Sequence, residues 1–401
     1  MTSNPVMKKL GRRLRLGVIG GGPGSFIGSV HRGAAVLEEM YEVVAGVLSS
    51  DPERSLSAAK ELGISRAYSS AEEMFAAEAD RADGMDLVAI MTPNNSHYRL
   101  SCLALEAGFH VMCEKPLTND LDEAQDLVNR VQASDRQFCV AYGYTGYPMV
   151  RQARAMVEAG ELGEIRMVQC EYVQGHLAEL TESEQRGQNW HMDPTIAGPS
   201  LILGDIATHS YHLASYVSGM EPAQINADVT TVVPGREAHD YAGIQLRYAN
   251  NARGMLWITQ AAAGATHGLY LRIFGSKGGL EWHQEQPNEL IYRRLDAPVA
   301  TFTKGGPGLS EAANRVTRIA IGHPEGYREA FANLYSDLAE AIVATETGCA
   351  PEPLSLWYPN VQDGASGVRF VQAALRSSEN GGSWEPCGPD LQTGTTVTDH
   401  R

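Results

Sequence analysis

The chain has 401 residues, of which 43% are hydrophobic and 20% charged, and a formal net charge of −16. That length favours two or three domains with real cores, and the acidic balance excludes a general nucleic-acid or anionic-membrane binder, because phosphate binding needs clustered Lys and Arg. No stretch approaches the length of an apolar transmembrane helix.

The N-terminal stretch MTSNPVMKKLGRRLRLGVIG is basic and then apolar. Its apolar run is short and passes into glycines without a cleavage-like site, so it reads as a polar tail feeding a first strand over 14–20. A helix over 27–40 and a strand over 42–48 follow. The next helix, 51–62, has Asp51 as its cap and Pro52 at its first position. Further patterns predict a helix over 71–80, a strand over 85–93, a helix over 96–108 closed by Gly108, a strand over 110–116, a helix over 120–133 and a strand over 137–144. Repeated β-α units with nearly continuous apolar strands predict a doubly wound parallel sheet covered on both faces.

After Pro148 the pattern changes. A helix over 148–159, a strand over 165–175, an irregular stretch over 176–203 and a helix over 205–219 are followed by strand patterns at 225–233, 242–249, 252–263, 268–284 and 289–294. The turns 249–254 and 275–279 separate them. Runs of adjacent strands predict an α+β domain with an open antiparallel sheet. Helices over 325–346 and 359–377 close the pattern, the first opened by Pro324 and Glu325, the last able to pack back on the first domain. The expected division is 1–145, 146–375 and a tail over 378–401. Six cysteines without a C-x-x-C pair read as reduced core residues of a cytoplasmic protein.

The stretch GGGPGSFIGSVHRGA, 20–34, lies between the first strand and the first long helix. Gly20, Gly22 and Gly24 suit a tight turn that brings backbone N–H groups to a pyrophosphate at a helix N-terminus. Ser25, Phe26 and Ile27 open the helix and join the glycines as candidate cofactor contacts. Ser25 takes the third glycine position of G-x-G-x-x-G, and Gly28 arrives three residues late. The context still points to a Rossmann-type dinucleotide site. NAD binders usually carry Asp or Glu at the end of the second strand. Here Leu48-Ser49-Ser50 stands there, and Asp51 is taken as a helix cap. Ser49, Ser50 and Arg54 can meet a 2′-phosphate, so NADP is favoured over NAD.

The motifs TPNNSH (92–97), EKP (114–116) and GDIATHSYH (204–212) complete the picture. Together with the glycine loop, the chain resembles the Gfo/Idh/MocA oxidoreductases over most of its length, to about residue 375. The resemblance implies a nicotinamide-dinucleotide domain, an open antiparallel sheet and a substrate site between them. It implies that Lys115 sits beside the substrate hydroxyl, that Asp205 and His209 complete the site, and that Thr92, Pro93, Asn94, His97 and Glu114 lie near the cofactor. The chain departs from the family in its irregular glycine loop, in the missing acid after the second strand, and at YGYTGYP (142–148), where many relatives place an arginine.

Oxidising a secondary alcohol needs a hydride acceptor and a base. His209 suits the base, because an imidazole titrates near neutral pH. Asp205 lies one helical turn earlier on the same face and can orient hydroxyls. Lys115 can stabilise a developing alkoxide and, with a lowered pKa, can itself be the base. Tyr144, Trp190, His191 and His212 are the substrate-side candidates, Trp190 as a stacking face, with Asp193 beside them as a hydroxyl partner. His323 can also line the cleft. Asp205 and His209 have no third ligand at helpful spacing, so no metal site is expected. Trp257 and Trp282 are candidates for an interface or core, and a homo-oligomer, dimer or tetramer, is expected. The expected function is an NAD(P)-dependent dehydrogenase or reductase acting on a sugar, cyclic polyol or sugar derivative. An NAD-dependent glycosidase and a non-enzymatic dinucleotide sensor are the competing readings.

Overall fold

Asn4 and Pro5 start a helix where a structureless tail was expected. In this computed structural model, which describes residues 4–179 and 190–388, α1 (Pro5–Leu10) is capped by the Asn4 side chain and ended by Gly11 in the left-handed region. Val6, fully buried, anchors it. Part of the 176–195 stretch and the tail beyond 388 lie outside the described residues.

Strands β1 (Leu14–Gly20), β2 (Tyr41–Val47), β3 (Arg66–Ala67), β4 (Leu87–Met91), β5 (His110–Cys113) and β6 (Phe138–Val140) form a six-stranded sheet in the order β3-β2-β1-β4-β5-β6. All its pairings are parallel. Every residue of β4, β5 and β6 is buried, as a sheet covered on both faces requires. The crossovers carry α2 (Phe26–Leu37), α3 (Pro52–Glu61), α4 (Ala71–Ala79), α5 (His97–Glu106) and α6 (Leu121–Gln132). Asp51 caps α3 as expected, accepting from the Arg54 N–H at 2.8 Å. The strand order reverses between β1 and β4, which leaves a crevice at their carboxyl ends.

The second half begins with α7 (Pro148–Glu158) and β7 (Ile165–Gln174), then α8 (Pro194–Ala197) and α9 (Thr208–Ser218). Strands β8 (Gln224–Thr230), β9 (Tyr241–Arg247), β10 (Arg253–Thr259), β11 (His267–Gly275), β12 (Gly278–His283), β13 (Glu289–Arg294) and β14 (Ala300–Thr303) follow. With β7 and a terminal β15 (Glu385–Pro386) they make a nine-stranded sheet, ordered β14-β13-β12-β11-β7-β10-β9-β8-β15. It is antiparallel except where β10 runs parallel to β7, Arg253 facing Met167. The chain leaves β7 through α9, and the β8-β9-β10 meander returns beside β7 in the same direction. The 268–284 pattern divides at the 275–279 turn into β11 and β12. α9 is preceded by a π-helical turn over Leu203–Ala207, which the sequence pattern did not signal.

After α10 (Glu311–Asn314) comes α11 (Tyr327–Thr347), then α12 (Val361–Glu379). Gly326, not Pro324 or Glu325, starts α11; the Glu325 carboxylate is buried and accepts from Lys304 Nζ at 2.8 Å. Phe331, Leu334, Tyr335, Leu338 and Ile342 of α11 share one core with Leu14, Leu16 and Leu87 of the parallel sheet. Val361, Ala365 and Val368 of α12 pack with Val111, Cys113 and Val140, whereas its Phe370 and Val371 join the core of the second sheet. The last two helices therefore tie the halves together. Five cysteines are buried and free; Cys349, also free, is exposed. Leu338 is 0% exposed, so Leu338→Ala should lower unfolding free energy by about 2–5 kcal/mol, read by chemical denaturation.

Candidate active site

The carboxyl ends of β1, β4, β5 and β6 open onto a cleft of about 660 Å³. The glycine loop after β1 forms its first wall. A Cβ at Gly22 would lie 2.8 Å from the Leu48 carbonyl oxygen, and one at Gly28 only 2.2 Å from that of Gly21. The late glycine is thus what lets α2 close against the loop. Ser25 caps α2, its hydroxyl accepting from the Gly28 N–H at 3.1 Å. Gly20 ends β1. Gly24 holds φ +81°, and nothing lies within 4 Å of a Cβ built there. The loop therefore keeps an open face beside a helix N-terminus, where N–H groups attract phosphate. Ser25, Phe26 and Ile27 line the cleft, and no carboxylate belongs to the loop 20–25. This cradle fits a dinucleotide pyrophosphate.

Loops after β4 and β5 form the second wall. Thr92, Pro93, Asn94, Glu114 and Lys115 line the cleft. Asn94 Nδ2 donates to the Ala197 carbonyl at 2.8 Å. His97, expected near the cofactor, stands behind the wall instead. Its ring is fully buried, with Nδ1 2.8 Å from the Pro116 carbonyl and Nε2 2.9 Å from that of Thr92. It clamps the two loops together, and burial lowers its pKa.

Lys115 reaches across to the second half. Its Nζ donates to the Asp205 carbonyl at 2.6 Å and to Asp205 Oδ1 at 3.0 Å. Asp205 lies in the π turn, an element frequent at functional sites. Its Oδ2 accepts from Gln260 Nε2 at 2.8 Å. Burial alone would raise the Asp205 carboxyl, but Lys115, His191 and the bonds from Lys115 and Gln260 outweigh it and hold the pKa below the carboxylate range. His209 follows on α9, its ring edge-on to Tyr142, Tyr144 and Tyr172. Burial first, then the Lys115 charge, push its imidazole well below the ordinary value. It is neutral near pH 7. Its Nδ1 is buried without a hydrogen-bond partner among the described residues, so no hydrogen bond at that nitrogen sets the tautomer.

Tyr144, Trp190 and His191 also line the cleft. Tyr144 and Tyr172 share a 2.5 Å hydrogen bond between hydroxyls. Trp190 stacks on His191 with ring centroids 3.7 Å apart. Other expectations need correction. His212 does not face the cleft; it stacks on Tyr142 at 4.0 Å and lies 3.8 Å from Asp363. Asp193 caps α8 by accepting from the Thr195 N–H. His323 is exposed and outside the cleft lining. By contrast, Ser49, Ser50 and Arg54 follow the end of β2, where the Leu48 carbonyl abuts Gly22 of the glycine loop. Trp282 is core and Trp257 is exposed. The sequence reading missed Tyr172, Gln174 and His176, which line the cleft from the end of β7. Their spacing of two along a strand puts them on one face, a signal that was available. His267 and Gln284, from β11 and just past β12, and Tyr327 had no such signal. Among the described residues no cluster of three metal-ligating side chains occurs, and no helix is long and apolar enough to cross a membrane.

A glycine cradle at the switch point of a doubly wound sheet, facing a Lys, an Asp and a neutral His, defines a dinucleotide-dependent oxidoreductase. Residues 14–142 match the sequence profile of the oxidoreductase family with an NAD-binding Rossmann fold, and residues 150–281 match the GFO/IDH/MocA C-terminal domain. The chain belongs to this GFO/IDH/MocA family and is an NAD(P)-dependent dehydrogenase of it. An oxidoreductase structure from Sinorhizobium meliloti is 44% identical, covering 93% of this chain and 99% of its own, with a TM-score of 0.84. An inositol dehydrogenase homolog from Azotobacter vinelandii, solved with NADH and myo-inositol, is 36% identical over 94% of this chain and 98% of its own, with a TM-score of 0.86. A levoglucosan dehydrogenase solved with NADH and levoglucosan is 26% identical over 94% of this chain and 100% of its own, with a TM-score of 0.80.

Gly28→Ala should push α2 off the loop and weaken NADH binding at least about tenfold, by loss of close backbone approach to the pyrophosphate. Titration calorimetry checks this, with circular dichroism showing an intact fold.

Proposed function

We propose that the protein oxidises a secondary hydroxyl of a neutral cyclic polyol or sugar, inositol-like or anhydrosugar-like, with hydride transfer to NAD. The observation that carries this is the Lys115–Asp205 pair beside neutral His209, in a cleft whose other polar groups are mostly neutral. Among the described residues no arginine lines the cleft. The lysine there is already bonded to Asp205. A phosphorylated or carboxylated substrate would find no free cation, whereas Gln174, His176, His267 and Gln284 offer donors and acceptors for hydroxyls. Phe26, 72% exposed at the mouth, and Trp190 offer apolar faces for a sugar ring. Myo-inositol and levoglucosan, held by two of the solved relatives, are substrates of this type.

The cofactor choice turns on Asp51. Its Oδ1 is used as the α3 cap. The second carboxylate oxygen of this exposed residue can still accept from a ribose hydroxyl, and two of the solved relatives named above, the inositol dehydrogenase homolog and the levoglucosan dehydrogenase, hold NADH. These points support NAD, against the NADP that the serine-rich end of β2 suggested.

With the dinucleotide's pyrophosphate held by the glycine cradle, its nicotinamide would supply the hydride acceptor. The protein handles the rest. Lys115 donates to the reacting oxygen and stabilises negative charge as it develops. His209, already neutral, accepts the hydroxyl proton. Asp205 keeps Lys115 aimed, and Gln260 keeps Asp205 in place. The reverse reaction uses the same groups with the proton returned.

The buried, unbridged cysteines support a cytoplasmic setting. Met167, Met255 and Trp257, exposed on the outer face of the second sheet, support pairing with a second copy.

The purified protein should reduce NAD⁺ with at least one inositol, monosaccharide or anhydrosugar, followed by absorbance of the reduced nicotinamide. Cofactor binding without any reduction, together with release of free sugar from aryl glycosides, would favour a glycosidase and overturn the reading. Lys115→Met and His209→Phe should each lower kcat by about 10²–10⁴ while NADH still binds. Because the His209 pKa is held below its ordinary value, the acid limb of kcat/KM should lie below about pH 6.5. A limb at the ordinary histidine value that survives in His209→Phe would assign the proton to another group.

A further inference from the structure

A line of buried hydrogen bonds runs behind the cleft wall. Glu114 Oε1 lies 2.9 Å from His31 Nε2, and His31 Nδ1 lies 2.7 Å from the Tyr335 hydroxyl. The other Glu114 oxygen accepts from the Lys115 main-chain N–H at 3.1 Å. At the far end the Tyr335 carbonyl accepts from the Tyr41 hydroxyl at 2.8 Å. His31 is 0% and Tyr335 1% exposed, so neither touches a ligand in the cleft. The reaction as described above uses neither.

The direction of each bond follows from what each group can do. A carboxylate only accepts, so His31 Nε2 carries a proton. Nδ1 of the neutral ring then accepts, and Tyr335 donates. In this arrangement every side-chain atom of the line has a partner. If Nδ1 also carried a proton, the Tyr335 hydroxyl would have to accept, and its own proton would find no other acceptor among the described residues. The ring is also held edge-on by Phe331 and Tyr335, with centroids 5.1 and 5.8 Å away.

The three side chains come from three elements with different tasks. His31 stands on α2, the helix that closes the glycine cradle. Tyr335 stands on α11, from the far end of the chain. Glu114 immediately precedes the reacting lysine and lines the cleft. We propose that His31 and Tyr335 are positioning residues. They fix the Glu114 carboxylate, and through its second oxygen the Lys115 backbone, so that the register of the lysine is set by the helix that holds the cofactor. Without His31, one Glu114 oxygen loses its buried donor and the carboxylate can turn toward the cleft. The Lys115 N–H then loses a fixed acceptor.

This proposal rests on the dehydrogenase reading, and its test has one arm that needs no substrate. His31→Phe should lower kcat at least about tenfold, as small misplacements of reacting groups do, with KM for NAD⁺ and the melting temperature little changed. His31→Gln, whose amide can still donate to Glu114, should recover most of kcat. Tyr335→Phe leaves the His31–Glu114 bond and should cost only a few-fold in kcat. In the second arm, reductive methylation of Lys115 is followed by peptide mass spectrometry on the NADH-bound protein. Labelling should speed up at least about threefold in His31→Phe and not in His31→Gln, as expected if the lysine loses its fixed geometry. Wild-type kcat and labelling in His31→Phe would overturn the proposal, as would an equal loss in His31→Gln. If His31→Phe does not fold, wild-type kcat and labelling in Tyr335→Phe overturn it. Failure of every polyol as substrate, with altered Lys115 labelling, would sink the substrate reading alone.

Discussion

The Lys115–Asp205 ion pair crosses from one half of the molecule to the other and joins their two contributions to the cleft. Lys115 lies in the loop just after β5 of the parallel sheet, and Asp205 lies on the helical segment that crosses over from the second sheet's first strand. Two charges taken partly out of water are costly unless each keeps further partners. Here the ammonium also donates to the Asp205 carbonyl, and the free carboxylate oxygen takes the Gln260 amide. The pair is therefore well supplied with hydrogen bonds while its side chains stay 15% and 26% exposed on the cleft side. A substrate hydroxyl can approach the ammonium from there without the pair separating.

That arrangement sets the state of its neighbour. Burial already disfavours a charged His209, and the Lys115 charge adds to the effect. The site thus holds a lysine cation beside an imidazole that stays neutral to lower pH than it would in water. The π turn matters for the same reason. Its wider turn places Asp205 where both its carbonyl and its carboxylate meet one ammonium, a geometry the predicted regular helix from 205 did not contain.

Much of this was legible in the sequence because it is local. The glycine loop, the Asp51 cap and the strand ends after β4 and β5 are set by short-range patterns of glycine, proline and apolar runs. What was not legible depends on contacts far apart in the chain. His97 looks like a site residue by the family resemblance and His212 by its spacing from His209, but tertiary packing turned one ring into a loop clamp and the other into a partner of Tyr142. His31 looked like an ordinary helix residue, since its partners are 83 and 304 positions away. The parallel β7–β10 pair escaped notice because a strand pattern does not carry the direction of its neighbour. The start of α1 was missed for a different reason: an Asn-Pro cap was present, and the basic residues after it were read as a solvated tail.

The division of labour between the halves also explains how one scaffold can serve several hydroxyl substrates. The parallel sheet supplies the cradle, Glu114 and Lys115, which in the proposed reaction face the part common to all alcohol oxidations. The second sheet supplies Tyr172, Gln174, His176, His267 and Gln284, whose side chains can change without disturbing the cradle. Asp205 and His209 belong to the second half by sequence and to the first by function. Because α11 is buried in the core of the parallel sheet, the second half is held against the first by apolar packing that a changed substrate pocket leaves intact. Specificity can therefore drift on β7, β11 and the turn after β12 while Lys115, Asp205 and His209 keep their geometry.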